Sequence, residues 1–149
     1  MIRQFRPEDA PSCSALILAC LKNDPAYSPA LLQKILRSET PEAMVERAAG
    51  IYVAVCEIDG EIRGVAGLEM NEIRLLYVAP GCRRQGIGRN LLEHLESMVP
   101  RALFSDAFVY TTKQAVAFYQ ACGFTDGGPF LFDLEGEKLQ TVFMTLPIH

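Results

Sequence analysis

Tryptophan is absent, and there are only two histidines, His94 and His149, set far apart. That leaves no His-based metal cluster, which needs several ligands brought within bonding distance. The five cysteines (Cys13, Cys20, Cys56, Cys82 and Cys122) are odd in number and contain no C-x-x-C pair. Such scatter argues against a disulfide framework or a zinc site and fits reduced thiols. No metal is therefore expected. Long hydrophobic runs are missing too: nothing approaches the roughly 18 to 20 apolar residues of a membrane span. The segment Met1 to Pro7 lacks the apolar core of a signal peptide, so a cytoplasmic protein with no membrane partner is expected. Excess positive charge is also lacking. Fourteen basic against eighteen acidic side chains give −4, whereas nucleic-acid binding wants a broad basic face.

What remains is an ordinary globular balance, with 50% hydrophobic and 21% charged residues over 149 positions. This is enough for one domain with a real core, and with no repeat, linker or low-complexity tract a single domain over 1–149 is expected. One stretch departs from the acidic whole. Leu76 to Arg101 holds Arg83, Arg84, Arg89 and Arg101 against Glu93 and Glu96, a local +2.

Ile2 to Phe5 reads as a short strand, and Pro7-Glu8-Asp9 opens a helix with acids in its first turn. Ser28-Pro29 and Thr40-Pro41 each set a capping residue before a proline suited to the first helical position. After Gly50 the period changes to that of strands: 51–57, a turn at Asp59-Gly60, then 62–70, a turn at Asn71, then 72–78. A helix follows from about Gly86 to Val99, with Ile87, Leu91, Leu95, Met98 and Val99 as its apolar stripe. Phe108 to Tyr110 is a strand, Lys113 to Cys122 a short helix stopped by Gly123, and 128–133 with 139–146 a closing hairpin. The unit from Glu72 to Tyr110 is strand–helix–strand and should be parallel. The fold class is α+β.

Arg83-Arg84-Gln85-Gly86-Ile87-Gly88-Arg89 joins a strand to a helix. Such a loop can aim several backbone N–H groups at one anion, helped by the helix dipole. Gly81 and Gly86 have P-loop spacing, but Ile87-Gly88 stands where Lys and Ser/Thr are required. A dinucleotide fingerprint would need a third glycine, and Leu91 occupies its place.

R-x-x-G-x-G at Arg83 to Gly88 resembles the acetyl-CoA-binding segment of the GCN5-related N-acetyltransferase (GNAT) superfamily. Ala115 to Phe124 resembles the A-x-x-F-Y-x-x-x-G-F helix of the same family. Motif order and element order run parallel to the family from Ile2 to Leu146. The resemblance implies layered α/β/α packing around a mixed, mostly antiparallel sheet of six to seven strands with about four helices. It implies acetyl-CoA as cosubstrate, with the pantetheine arm along Leu76, Tyr77 and Val78. The diphosphate would sit on the loop from Arg84 through Gln85, Gly86, Ile87 and Gly88 to Arg89, with Arg83 at the leading position. The reaction implied is direct attack of a primary amine, from a small molecule or a peptide, on the thioester.

Glu72 stands eleven residues before Arg83, where family members carry a catalytic glutamate, and is the expected general base. Glu69 is the alternate. Tyr119 matches the family's acid, its phenol (pKa about 10) being able to relieve a thiolate whose own pKa is near 8.5. A backbone N–H near Val78 is the family's donor to the thioester oxygen. Thr112 stands where the family often has an asparagine that contacts the cofactor; it offers one hydroxyl in place of an amide. Cys82 and Cys122 flank the motifs without an evident base and are read as structural, Cys122 on a buried helix face. Glu39, Glu42 and Glu46 are read as a solvated face. The competing function is a non-catalytic module that binds or senses acyl-CoA. A homodimer through the last strands is compatible with the resemblance.

Overall fold

The computed structural model describes residues 1–149, and their strands form one seven-stranded sheet. In chain order the elements are β1 (Ile2–Gln4), α1 (Ala10–Lys22), α2 (Pro29–Ser38), α3 (Pro41–Gly50), β2 (Tyr52–Ile58), β3 (Glu61–Glu69) and β4 (Glu72–Val78). After β4 come α4 (Ile87–Met98), β5 (Asp106–Thr111), α5 (Val116–Ala121), β6 (Thr125–Leu134) and β7 (Glu137–Pro147). Spatially the strands run β1-β2-β3-β4-β5-β7-β6. Every neighbouring pair is antiparallel except β4 and β5. The expected fold class and sheet size are met. Helices number five where the resemblance implies about four; the three starts read in the N-terminal third are all present, and single 3-10 turns precede α1 and α5 and follow β4.

Local chemistry accounts for most boundaries. Leu31 N–H donates to Ser28 Oγ and Ala43 N–H to Thr40 Oγ1, both at 3.1 Å, starting α2 and α3 at their prolines. Asp59-Gly60 joins β2 to β3 with both φ positive (54° and 79°), and Glu135-Gly136 does the same between β6 and β7 (54° and 91°). Two-residue turns of this kind match the twist of the strands they join. In α5, Gly123 adopts φ 98° just past the helix, and Phe124 N–H returns to the Tyr119 carbonyl at 3.0 Å.

Two cores cover the two faces of the sheet. Leu91, Leu92 and Leu95 of α4 pack with Ala54, Ala66, Leu68 and Ile73 on one face. Cys13, Leu16, Ile17 and Leu21 of α1, with Met44 of α3, pack with Val53, Val55, Val65 and Leu75 on the other. Met98, assigned to the buried stripe of α4 by its spacing, is exposed; Leu92 takes that place in the core. Glu39 also departs from expectation. It is buried, because α2 has ended before it and the turn into α3 folds it inward, where Arg47 donates to it at 2.8 Å. Glu42 and Glu46 are exposed as expected, and Cys122 is half-buried rather than on a buried face.

Candidate active site

The site begins with a strand pairing that stops early. β4 and β5 are in register only at Glu72↔Phe108 and Ile73↔Val109. In β4, Leu75 pairs with Gly67 of β3 but Ile73 pairs with Leu68, so Arg74 is an extra residue on the β4 side. A bulge of this kind bends its strand and ends neighbouring pairing. Beyond Ile73 the two parallel strands therefore splay, and the edge of β4 that faces β5 has no strand partner.

A cavity of about 1190 Å³ occupies the gap. It runs from Glu72 and Arg74, past Leu76, Tyr77 and Val78, to Arg83, Arg84, Gly86, Ile87, Gly88 and Arg89. Drug-sized ligands take roughly 300 to 1,000 Å³, so this volume suits a long cofactor and a second substrate. Nearly all the expected cofactor residues line it. Gln85 does not; the turn that sets Gly86 at φ 81° leaves its side chain on the exposed outer surface.

The N-terminus of α4 is built without a protein cap. Gly86 is the capping residue and has no side chain; the first bond into the helix is Asn90 N–H to the Gly86 carbonyl at 3.0 Å. The amides of Ile87, Gly88 and Arg89 are left for a ligand, at the positive end of a twelve-residue helix. Arg84 also adopts positive φ (65°), turning the loop sharply. A Cβ at Gly86 would meet nothing within 4 Å, whereas one at Gly88 would lie 3.3 Å from the Phe118 ring. Arg83, Arg84 and Arg89 are exposed around these amides, with Arg89 partly engaged by the Ala121 carbonyl at 3.2 Å. Donors and charge here fit a diphosphate. The side chain of Ile87 serves the core instead, packing beside Leu91.

Glu72 and Glu69 are adjacent across the β3–β4 turn, yet their surroundings differ. Glu69 is half exposed and accepts from Arg74 at 2.8 Å. Glu72 lines the cavity, stands 3.9 Å from Arg74 and is the more buried of the two. Burial raises its carboxyl above the ordinary value, opposed by Arg74 and reinforced by Glu69. Tyr119 is held between Phe118 and Phe124, edge-to-face, with ring centroids 5.2 Å away on each side. It also lines the cavity, and burial pushes its phenol well above the usual range.

Thr112 lies on the cavity wall, but its hydroxyl is occupied. It donates to Asp24 Oδ2 at 2.6 Å, across 88 residues of sequence. Asp24, Cys20 and Tyr27 from the α1–α2 region, and Tyr110, Phe132, Leu139 and Thr141 from the last strands, complete a second half of the cavity. No sequence motif points to any of these, since only the tertiary fold brings the α1–α2 turn to the end of β5. Cys20 donates its thiol to the Val78 carbonyl at 3.2 Å, and burial raises its pKa. No three His, Cys, Asp or Glu side chains gather as a metal set, and no helix is long and apolar enough to cross a membrane.

A family model described as an acetyltransferase (GNAT) domain matches residues 23–134. The peptidyl-lysine N-acetyltransferase YjaB of Escherichia coli K12 is 34% identical over 93 residues, which take in 62% of this chain and 57% of that relative. A GCN5-related N-acetyltransferase from Rhodopseudomonas palustris superposes with a TM-score of 0.89 at 22% identity, covering 99% of this chain and 94% of that one. The yncA protein of Salmonella typhimurium, solved with its cofactor acetyl-CoA, gives 0.72 at 19% identity, covering 100% and 94%.

Proposed function

The chain belongs to the GNAT family of acetyltransferase domains, and we propose that it moves an acetyl group from acetyl-CoA to a primary amine of a small molecule or peptide. One observation carries this reading: the splay of β4 from β5 opens a single cavity from Glu72 to the uncapped N-terminus of α4. The amides of Ile87, Gly88 and Arg89, with Arg83 and Arg84 around them, hold the diphosphate. The free edge of β4 at Leu76, Tyr77 and Val78 receives the pantetheine arm as a substitute strand partner.

Bound acetyl-CoA supplies the acetyl group as a thioester. Glu72 takes a proton from the acceptor ammonium, through a water, freeing the nitrogen pair for attack on the carbonyl carbon. Its raised pKa suits this, because a carboxylate nearer neutrality is a better base at pH 7. As the N–C bond forms and the C–S bond breaks, the nitrogen's second proton passes to water and Tyr119 stabilises the departing thiolate. Its phenol stays protonated throughout the working range. Its pKa also lies further above a thiol's 8.5 than the ordinary phenol value of about 10 does, which favours hydrogen-bond donation over complete proton transfer.

The test is release of free thiol from acetyl-CoA in the presence of aliphatic amines, amino acids and lysine peptides, with N-acetyl products identified by mass spectrometry. Turnover on at least one amine is expected. Tight acetyl-CoA binding with no turnover on any amine would leave a binding module and overturn the enzymatic reading.

A further inference from the structure

Beyond Ile73 and Val109 the strands β4 and β5 pair no further, yet one segment spans the gap between them. Near the end of α1, Cys20 donates its thiol to the Val78 carbonyl of β4 at 3.2 Å, with Arg83 beside the same thiol. About one helical turn later, Asp24 Oδ2 accepts from Thr112 Oγ1, just past β5, at 2.6 Å. Residues 20–24 therefore cross from one strand to the other, and Cys20, Leu21 and Asp24 all line the cavity. The level of the crossing follows from the strands. Glu72 is level with Phe108, so the same parallel register sets Thr112 level with Leu76. At about 3.3 Å per residue that is roughly 13 Å along from Glu72, on the stretch of β4 assigned to the pantetheine arm.

On that stretch an arm brings more donors than β4 has acceptors. Ala79 N–H bonds across to the Arg63 carbonyl of β3 at 2.9 Å, so by the alternation of an antiparallel ladder Tyr77 also turns its backbone groups to β3. Leu76 and Val78 turn theirs to the gap. They offer two carbonyls, and the one on Val78 already holds the Cys20 thiol. A pantetheine arm carries two secondary amides and a hydroxyl. Asp24 supplies acceptors from the other side. Ala26 N–H donates to its Oδ1 at 2.9 Å and Thr112 to its Oδ2, which fixes the carboxylate and uses about half of the four hydrogen bonds it can accept. None of the ion pairs in the chain involves it. A fixed side chain with acceptor capacity to spare is preorganised for an N–H or O–H donor.

We infer that Asp24, aimed by Thr112, is a cofactor-binding residue whose carboxylate accepts a hydrogen bond from the pantetheine arm of CoA. The inference rests on the cofactor reading above and adds to it a residue that no sequence motif marks. Thr112 serves the cofactor through Asp24, its own hydroxyl being engaged by the carboxylate. The sign of the effect separates this role from a merely adjacent charge. A carboxylate near a polyanionic ligand repels it, so an Asp24 that made no bond to the arm would tighten binding when removed.

The test is calorimetric titration of the full chain with CoA and with adenosine 3′-phosphate 5′-diphosphate, which is CoA without its pantetheine arm. No amine is present. Asp24→Ala should weaken CoA binding about tenfold or more and leave the armless nucleotide within about twofold, as loss of a hydrogen bond to a charged group predicts. Thr112→Val cuts the same tie but keeps the carboxylate, so it should weaken CoA by a smaller factor, about threefold, and again spare the nucleotide. Asp24→Asn, which can still accept from Thr112, covers the case in which Asp24→Ala does not fold; it should weaken CoA severalfold with the nucleotide spared. Unchanged or tighter CoA binding in the folded Asp24 variants would overturn the inference. So would equal losses for CoA and the nucleotide, or a loss in Thr112→Val as large as in Asp24→Ala, which would make the tie alone responsible. Turnover is followed separately. A wild type that binds CoA but acetylates no amine would sink acyl transfer and leave Asp24 standing, whereas one that binds no CoA would end both readings.

Discussion

Gly64 of β3 lies directly under α4, and adding one methyl group there tests how the sheet sets the position of the cofactor loop. An alanine Cβ at this position would fall 2.7 Å from Leu91 Cδ1 and 2.9 Å from Ile87 Cγ2. Ordinary contacts begin near 3.4 Å, leaving the closer pair about 0.7 Å too tight. Neither neighbour can swing aside, since Leu91 is fully buried and Ile87 is 4% exposed. Relief must come from lifting α4, and overpacking of this sort costs about 1 to 3 kcal/mol. Because Ile87 opens α4, the displacement reaches the amides assigned to the diphosphate.

Gly64→Ala should therefore lower the unfolding free energy by about 1 to 3 kcal/mol and weaken CoA binding as well. Two controls define the scale. Gly67→Ala would meet Ile51 and Leu75 at 3.1 to 3.3 Å, on the opposite face from α4, so its smaller stability loss should leave CoA affinity intact. Gly50→Ala, at the end of α3 with nothing within 4 Å, should gain about 0.4 to 1 kcal/mol by stiffening the unfolded chain. Urea denaturation with and without CoA, and calorimetric CoA titration, measure both quantities. If Gly64→Ala is as stable as Gly67→Ala, or loses stability while binding CoA normally, the mechanical link from β3 through α4 to the loop is wrong.

Tyr119→Phe should reduce kcat by about 100-fold or more, in the range of positioned proton donors. Its acetyl-CoA KM and melting temperature should hardly move, because the hydroxyl has no intramolecular partner to lose; steady-state kinetics with an unchanged kcat would remove it from the leaving-group role. Glu72→Gln should lower kcat/KM by a similar factor, and the wild-type pH–rate profile should lose activity on the acid side above the ordinary carboxylate range, as the raised Glu72 pKa is crossed. The same raised pKa means that the folded state disfavours the charged form. Glu72→Gln should thus melt higher than wild type at pH 7, with the difference vanishing once both folded and unfolded carboxylates are protonated. Thermal melts at pH 7 and pH 4 showing the opposite order would contradict burial as the cause. Lys34 of α2 donates to the Glu135 carbonyl at 2.7 Å and ties down the hairpin that carries Phe132 and Leu139. Lys34→Ala should raise the acceptor KM severalfold and leave that for acetyl-CoA unchanged, with stability within about 0.5 kcal/mol; kinetics showing no change in acceptor KM would separate this contact from the site.

Features governed by near neighbours are legible in the amino-acid sequence itself. The caps at Ser28 and Thr40, the turns at Asp59-Gly60 and Glu135-Gly136, and the glycine-capped end of α5 each depend on a few adjacent residues. The half of the cavity proposed for the cofactor is local for the same reason, since strand, loop and helix N-terminus are contiguous from Leu76 to Arg89. The other half is not. It is assembled from the α1–α2 turn, the end of β5 and the last hairpin, and the bond that organises it joins residues 88 apart. Glu39 defeats a local reading because a charged residue between two helices is usually solvated, whereas here Arg47 reaches back to pair with it. Gln85 shares the motif of its neighbours but is exposed and does not line the cavity.

The feature that joins the two halves is also the one that periodicity could least foretell. Side chains alternate faces along a strand, so Ile73 should share a face with Leu75 and Tyr77. Instead Ile73 packs under α4 while Leu75 and Tyr77 pack toward α1, and the extra residue at Arg74 is the reason. A one-residue change of register moves every later side chain to the other face. The bulge therefore does three things together. It leaves Glu72 in the cavity, puts Leu76 and Val78 on the α4 side, and ends the pairing with β5. A β4 without the extra residue could continue its ladder along β5, and the gap that opens the cavity would close. The backbone groups that β4 leaves unpaired toward β5 are those that the pantetheine arm would satisfy on the proposed reading.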